Sequence, residues 1–266
     1  MSEILSEACG LRFGFSSDAL LLDSIDLEVP RGEVRILAGE SGKGKSTLLR
    51  LLAGLEAPTA DPDGATTGQV FLFGEDIWDV PRSRVRELRR RTGFVFQNSD
   101  AQVFSPTVRD ELAFGPLQLG LSRAEAADRV ADILRLLEIP DLADRAPFQL
   151  SGGQKKRVAI GTVLVMNPDV LLFDEPTAGL DPRTGEWLTG LIQELAASGK
   201  TIVLATQDLD SLDRLADRCL VFSEEHRIVA DGPPLDILGQ RQLLLDVNLT
   251  HARTRLAAAA PVIGNP

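Results

Sequence analysis

The sequence is short of several things, and each shortage removes a class of function. It has 2 cysteines in 266 residues, Cys9 and Cys219, too few for a disulfide framework or a zinc site. That usage fits a reducing cytoplasm. Its 2 histidines, His226 and His251, are far apart and lack ligand spacing. There is no basic excess, because 28 Lys and Arg stand against 39 Asp and Glu, a net charge of −11. A nonspecific nucleic-acid binder shows a basic face, so no nucleic-acid partner is expected. The densest apolar stretch, Val158 to Met166, falls well short of the roughly 20 residues a membrane helix needs. The start, Met1 to Glu7, is acidic and lacks the basic and apolar regions of a signal peptide. If the chain works at a membrane, a partner is expected to do the spanning and the chain to sit on the cytoplasmic face.

What is present reads as a soluble globular chain, 44% hydrophobic and 25% charged, long enough for a substantial core. Leu11–Phe15, Ile25–Val29 and Val70–Phe73 read as short strands separated by turns. Ala57 to Gly68 is rich in Pro, Thr, Asp and Gly and reads as a surface loop. From Gln97 to about Met166 the pattern is helical. Within it Ser122 to Glu125 forms a capping box, opening a helix whose Val130, Ile133, Leu134 and Leu137 share a face. Val170–Phe173, Thr201–Ala205 and Leu220–Phe222 are apolar strands alternating with helices such as Gly185–Ala197. That alternation predicts a largely parallel sheet of α/β type. Beyond Gly239 a leucine-rich segment leads to Ala257–Pro261, expected to be a frayed tail.

Three segments carry chemistry. Gly39-Glu40-Ser41-Gly42-Lys43-Gly44-Lys45-Ser46 fits the phosphate-loop pattern and lies between the strand Val34–Ala38 and a helix starting at about Lys45. Its glycines let backbone N–H groups turn toward phosphate oxygens. Lys45 is expected to reach the β- and γ-phosphates of ATP, and the Ser46 hydroxyl to bind Mg²⁺. With the chain acidic overall, ATP has to be held by local geometry. Asp174 ends an apolar strand at the sheet edge where ligands collect, which makes it a magnesium-directed carboxylate. Glu175 beside it is the candidate base for the attacking water. Ser151-Gly152-Gly153-Gln154 has capping-box spacing at the head of the helix Lys155–Met166, and its N–H groups make an anion site.

Gly39–Thr47, Leu150–Gln154, Leu171–Glu175 and Ala178–Asp181 together resemble the nucleotide-binding subunit of an ABC transporter, over about residues 5 to 240. The resemblance implies an ABC-type P-loop fold, with an antiparallel β subdomain and a helical subdomain inserted at about residues 98–166. The ATPase domain would span residues 1–240 and the leucine-rich tail residues 241–266. It implies that Thr47 joins the phosphate loop and that Gln97 senses Mg²⁺ and links the site to the membrane partner. Phe15 resembles the aromatic that stacks on adenine, with Phe13 as second candidate. Two chains would meet head to tail, each placing Ser151–Gln154 on the other's nucleotide, with Asp181 at the seam. A narrower likeness runs through Phe96–Val108, Ala113–Leu117 and Gly153–Ile160. It is similar to the ATPase subunits of energy-coupling factor importers, including the cobalt and nickel branch, which take up metal ions or vitamins. A DNA-repair ATPase with these motifs would need a long coiled coil between Ser46 and Ser151, and the 104 residues there do not supply one.

One position departs from the family. A histidine usually follows the strand Thr201–Ala205 and contacts the γ-phosphate, whereas this chain has Gln207. An amide can donate a hydrogen bond but cannot carry charge. The expectation is an ATP-hydrolysing motor subunit of a membrane importer, with a weakly hydrolysing, nucleotide-gated partner subunit as the alternative. The second ATPase subunit is either a like or an unlike chain.

Overall fold

A computed structural model describes residues 3–16, 19–59, 67–98, 102–209 and 212–250. Two sheets organise them. An antiparallel sheet contains β1 (Ile4–Ser16), β2 (Ala19–Pro30), β4 (Gln69–Leu72) and β5 (Glu75–Asp76), in the order β2-β1-β4-β5. The larger sheet contains β3 (Val34–Ala38), β6 (Thr92–Val95), β7 (Val170–Asp174), β8 (Thr201–Thr206), β9 (Arg218–Phe222) and β10 (Ile228–Gly232). Its order is β10-β9-β3-β8-β7-β6, parallel from β9 to β6, with β10 antiparallel at the edge.

The central strands β3, β7 and β8 are buried at every position, as expected for a parallel sheet covered on both faces. Their side chains alternate between two cores. Ile36, Leu171, Phe173, Ile202 and Leu204 face one core. It is completed by α3 (Val108–Gln118), α4 (Arg123–Leu136), α5 (Gly152–Leu164) and α6 (Pro182–Ala197). Leu37, Val170, Leu172, Val203 and Ala205 face the other, with the antiparallel sheet and α1 (Lys45–Leu52). Leu48, Leu49, Leu51 and Leu52 of α1 are all buried there, so the helix that follows the phosphate loop is clamped between the two sheets. Burying each such side chain contributes about 1.5–3 kcal/mol, which fixes the loop's exit.

Several boundaries differ from the sequence expectation. β1 and β2 extend well beyond Leu11–Phe15 and Ile25–Val29, because antiparallel pairing continues through polar positions such as Ser6 and Glu7. The stretch after Gln97 becomes helical only at Val108, and Ser99–Ala101 fall outside the described residues. α6 starts at Pro182, three residues before Gly185, since Asp181 caps it and proline suits its first position. β6 and α2 (Arg82–Arg90) were not anticipated. The first is Thr92-Gly93-Phe94-Val95, with a glycine inside it, and the second carries only two apolar residues, Val85 and Leu88, of which Leu88 is buried. The remaining α-helices among the described residues are α7 (Leu212–Leu215), α8 (Pro234–Gly239) and α9 (Arg241–Asp246). Leu244 and Val247, in and just after α9, pack into the first core. Ala257–Pro261 falls outside the described residues.

Candidate active site

The parallel sheet brings four distant segments to one edge. β3 runs into Gly39, β7 ends at Asp174, β8 leads into Gln207 and β6 leads into Gln97. Register locks them together, with Ala38 opposite Thr206, Ala205 opposite Asp174 and Phe173 opposite Val95. Ligands in open α/β sheets collect at this carboxyl edge.

A 130 Å³ cleft opens there. The loop supplies Ser41, Gly42, Gly44, Lys45, Ser46 and Thr47, and Leu21, Gln97, Glu175 and Gln207 close the sides. Gly44 has φ of 98°, and a Cβ on it would stand 2.5 Å from the Leu21 carbonyl oxygen, so only glycine fits. Lys45 is buried, and its ammonium donates to the carbonyl oxygens of Gly39 at 2.6 Å and Glu40 at 3.0 Å. The Glu175 carboxylate lies 3.4 Å from the same ammonium. Burial pushes the Lys45 ammonium below its ordinary value, while the negative charges of Glu175, Asp174 and Glu40 hold it up. Outside the cleft, Lys43 pairs with Glu40 at 3.5 Å. The other Glu40 oxygen accepts from the Asn248 amide at 2.7 Å.

The Ser46 hydroxyl donates to Asp174 at 2.6 Å, joining the loop to the end of β7. Glu175 has φ of 42°, a strained value for a residue with a Cβ. Its N–H donates to the Ala205 carbonyl oxygen at 2.9 Å, which holds the kink. The kink turns the Glu175 side chain back toward the loop, where the Gln207 N–H donates to it at 3.4 Å. Strain of this kind costs about 1–3 kcal/mol and persists where the surroundings over-determine it.

Ser151–Gln154 lies elsewhere. Ser151 caps α5, the Gln154 N–H donates to its hydroxyl at 3.3 Å, and the Gln154 side chain accepts from the Ser151 N–H at 3.0 Å. The segment borders a 620 Å³ cleft together with Asp181, Thr184, Arg157 and Glu138, and shares no lining residue with the phosphate-loop cleft. A Cβ on Gly153 would meet Thr184 at 2.9 Å, whereas one on Gly152 would meet nothing within 4 Å. Asp181 accepts from the Thr184 N–H at 3.1 Å and caps α6 beside the same cleft.

Phe13 is buried among the apolar residues of the antiparallel sheet and is not free to stack on a base. The Phe15 side chain lies outside the described residues. Sequence reasoning missed Leu21 in the cleft wall, the Asn248 contact to Glu40, and Lys156, which is buried on α5. A signal existed for Lys156, which shares a helix face with the apolar Ala159, Ile160 and Val163.

With this geometry in view, residues 22–178 match the family described as ABC transporter, which is more than half of the chain. The chain belongs to that family and is an ABC-type ATPase. It is 41% identical over 96% of its length to the cobalt import ATP-binding protein CbiO of Rhodobacter capsulatus, covering 91% of that protein. It is 37% identical over 92% of its length to the energy-coupling factor transporter ATP-binding protein EcfA of Methanothermobacter thermautotrophicus, covering 76% of it. Among solved structures, cbiO1 of Clostridium perfringens, part of the ABC transporter complex cbiONQ, matches with a TM-score of 0.80 at 34% identity. That match covers 93% of this chain and 96% of cbiO1. No helix among the described residues is long and apolar enough to cross a membrane.

Proposed function

We propose that this chain is the motor subunit of a membrane importer for a metal ion or a vitamin, sitting peripherally on the cytoplasmic face. Two ATPase subunits would close head to tail over ATP, with residues 1–240 as the ATPase unit and about 98–166 as its helical part. The observation that carries the reading is the separation of two glycine-rich sites. Lys45, Ser46, Asp174 and Glu175 converge on one cleft, while Ser151–Gln154 borders another and has its own capping bonds satisfied. Its outward-facing Gly152 has room for a ligand held by another chain.

In this reading the backbone of Gly39–Gly44 and the Lys45 ammonium hold the phosphates, with Thr47 at the base of the loop. Lys45 would trade its two carbonyl contacts for phosphate oxygens. Glu175 would accept the proton of the attacking water. The residues fit Mg²⁺, since Ser46 and Asp174 offer hard oxygen donors 2.6 Å apart and Gln97 lines the same cleft. Magnesium keeps waters and takes only one or two carboxylates plus phosphate, in line with the absence of a three-ligand His, Cys, Asp or Glu cluster among the described residues. The metal would neutralise phosphate charge. Phe104 and Phe114 form an exposed edge-to-face pair with ring centroids 5.4 Å apart, close in sequence to Gln97, a suitable apolar contact for a membrane subunit. The names of the relatives support cobalt, nickel or energy-coupling factor import as the machine served.

Size-exclusion chromatography of Glu175→Gln with Mg-ATP tests head-to-tail closure. A dimer that appears with ATP and dissolves with ADP is expected, and a monomer that binds ATP without dimerising would sink the arrangement. Deleting the gene and measuring cobalt, nickel and vitamin uptake tests the cargo class, and unchanged uptake of all of them refutes it.

Gln207 favours a second reading, in which this chain hydrolyses little and gates a competent partner. Losing a charge-stabilising group of this sort costs about 10²–10³ in rate, and an amide that still donates recovers part of that. Gln207→His should therefore raise steady-state phosphate release of the purified chain. A parent already as fast as the mutant would mean that glutamine serves as well as histidine.

A further inference from the structure

Lys156 is 3% exposed on the second turn of α5. Its ammonium donates to the carbonyl oxygens of Phe96 at 3.2 Å and Gln97 at 3.3 Å. Among the described residues no carboxylate pairs with it, and Asp174 acts only at longer range. Burial pushes this ammonium down to about 8, against the opposing charge of Asp174.

A lysine here is a poor choice for packing alone. Burying an ammonium without a carboxylate is costly unless its donors are used, and a methionine would fill the space without that cost. The use found for the donors is specific, because the two carbonyls belong to the segment that carries Gln97. That segment is anchored at its base, where Val95 pairs with Phe173 of β7, while the Gln97 side chain is exposed and reaches the phosphate-loop cleft. Gln97 also borders a second cleft, of 210 Å³, with Gly152, Gly153, Lys156, Gly179 and Asp181. One buried side chain thus bonds the phosphate-site segment to the helix led by Ser151–Gln154.

We propose that Lys156 is a positioning residue that ties the Gln97 segment to α5, so that nucleotide arriving at the phosphate loop resets the Ser151–Gln154 end of the same chain. The tie rests on the head-to-tail reading above, in which those two ends serve different nucleotides. It makes each chain the link between the two sites of the closed pair.

Hydrogen exchange, with and without Mg-ATP, tests the tie at concentrations where the chain elutes as a monomer. In the parent, nucleotide should raise protection at residues 39–47, 96–98 and 152–157. In Lys156→Met, protection should still rise at residues 39–47 while the response at 152–157 disappears. Lys156→Gln, which keeps a donor, should recover most of that response. Steady-state turnover of Lys156→Met should fall about 10- to 100-fold, the scale of a displaced but intact catalytic group, with KM little changed. Thermal unfolding of Lys156→Met should match or exceed the parent, which separates lost coupling from lost fold. An unchanged response at 152–157 in Lys156→Met overturns the tie, and so does a variant that loses protection at residues 39–47. A parent whose 152–157 segment ignores nucleotide while Glu175→Gln still dimerises overturns the tie but leaves head-to-tail closure standing. A parent that responds at both ends while Glu175→Gln never dimerises leaves the tie standing and removes head-to-tail closure.

Discussion

The two glycine-rich sites of this chain are built on opposite plans. The phosphate loop is knitted into its own molecule, with the Lys45 ammonium on two carbonyl oxygens and a carboxylate, and Ser46 on Asp174. Ser151–Gln154 is satisfied only locally, by a capping box, with Gly153 packed against Thr184 and Gly152 facing open space. A site whose groups converge on an internal cleft can be understood from one chain. A capped helix end with an unobstructed Gly152 is, in the proposed head-to-tail arrangement, half a site that another chain completes. Mutations should therefore behave differently on the two sides.

The largest effect is expected at the internal site. Glu175→Gln removes the proposed base while leaving shape and hydrogen-bonding surface, so turnover should fall about 10²–10⁴-fold with nucleotide still bound. Phosphate release and a nucleotide titration on the same preparation check this. A variant that turns over at the parental rate takes Glu175 out of the mechanism.

Lys45→Ala should come next. Removing one partner of a buried charge-assisted contact costs about 2–5 kcal/mol, so Mg-ATP affinity should fall by tens- to thousands-fold. Thermal unfolding should show the fold intact. Unchanged affinity would show that the phosphates are held elsewhere.

Gly152→Ala sharpens the contrast most directly. A methyl group there meets nothing in its own chain, and alanine suits a helix, so stability should hold or rise slightly. Nucleotide affinity of the monomer should also be unchanged. Turnover should nevertheless fall, by about tenfold or more, because in the proposed closure the added methyl intrudes where another chain's nucleotide approaches. Full activity in this variant would mean that no ligand comes close to Gly152.

The smallest effect serves as the control. Ser122→Ala removes the cap of α4, whose hydroxyl accepts from the Glu125 N–H at 3.3 Å far from either site. It should cost about 1 kcal/mol in denaturant unfolding and leave kcat alone. A change in kcat would show that the helical layer is coupled to hydrolysis more widely than through Lys156.

Much of this was legible beforehand, for identifiable reasons. The phosphate loop could be read because its glycines, lysine and serine are contiguous and its flanking strand and helix are strongly patterned. The two capping boxes were legible because a cap is a local bond with fixed spacing, and both form as expected. β6 escaped because Thr92 and Gly93 make half of it and a glycine interrupts the strand pattern, and Lys156 because a charged residue in a polar run looks solvated. Phe13 shows the reverse limit. An aromatic near a nucleotide motif reads equally as a base-stacking group or as core, and only packing placed it in the core.

The sequence by itself determined the chemistry on offer: a phosphate loop, paired acids after an apolar strand, a second capped glycine segment, and a glutamine just past the strand Thr201–Ala205. These follow from residue type and short spacing, which act through local backbone geometry. The tertiary structure decided which groups meet. Ser46 and Asp174 are 128 residues apart and touch only because β3, β8 and β7 lie side by side in the parallel sheet. Glu175 faces Lys45 because a strained φ, held by a bond to Ala205, turns it inward. Lys156 is buried because α5 packs on the strand layer, where an ammonium must find carbonyl oxygens or forfeit its hydration without return.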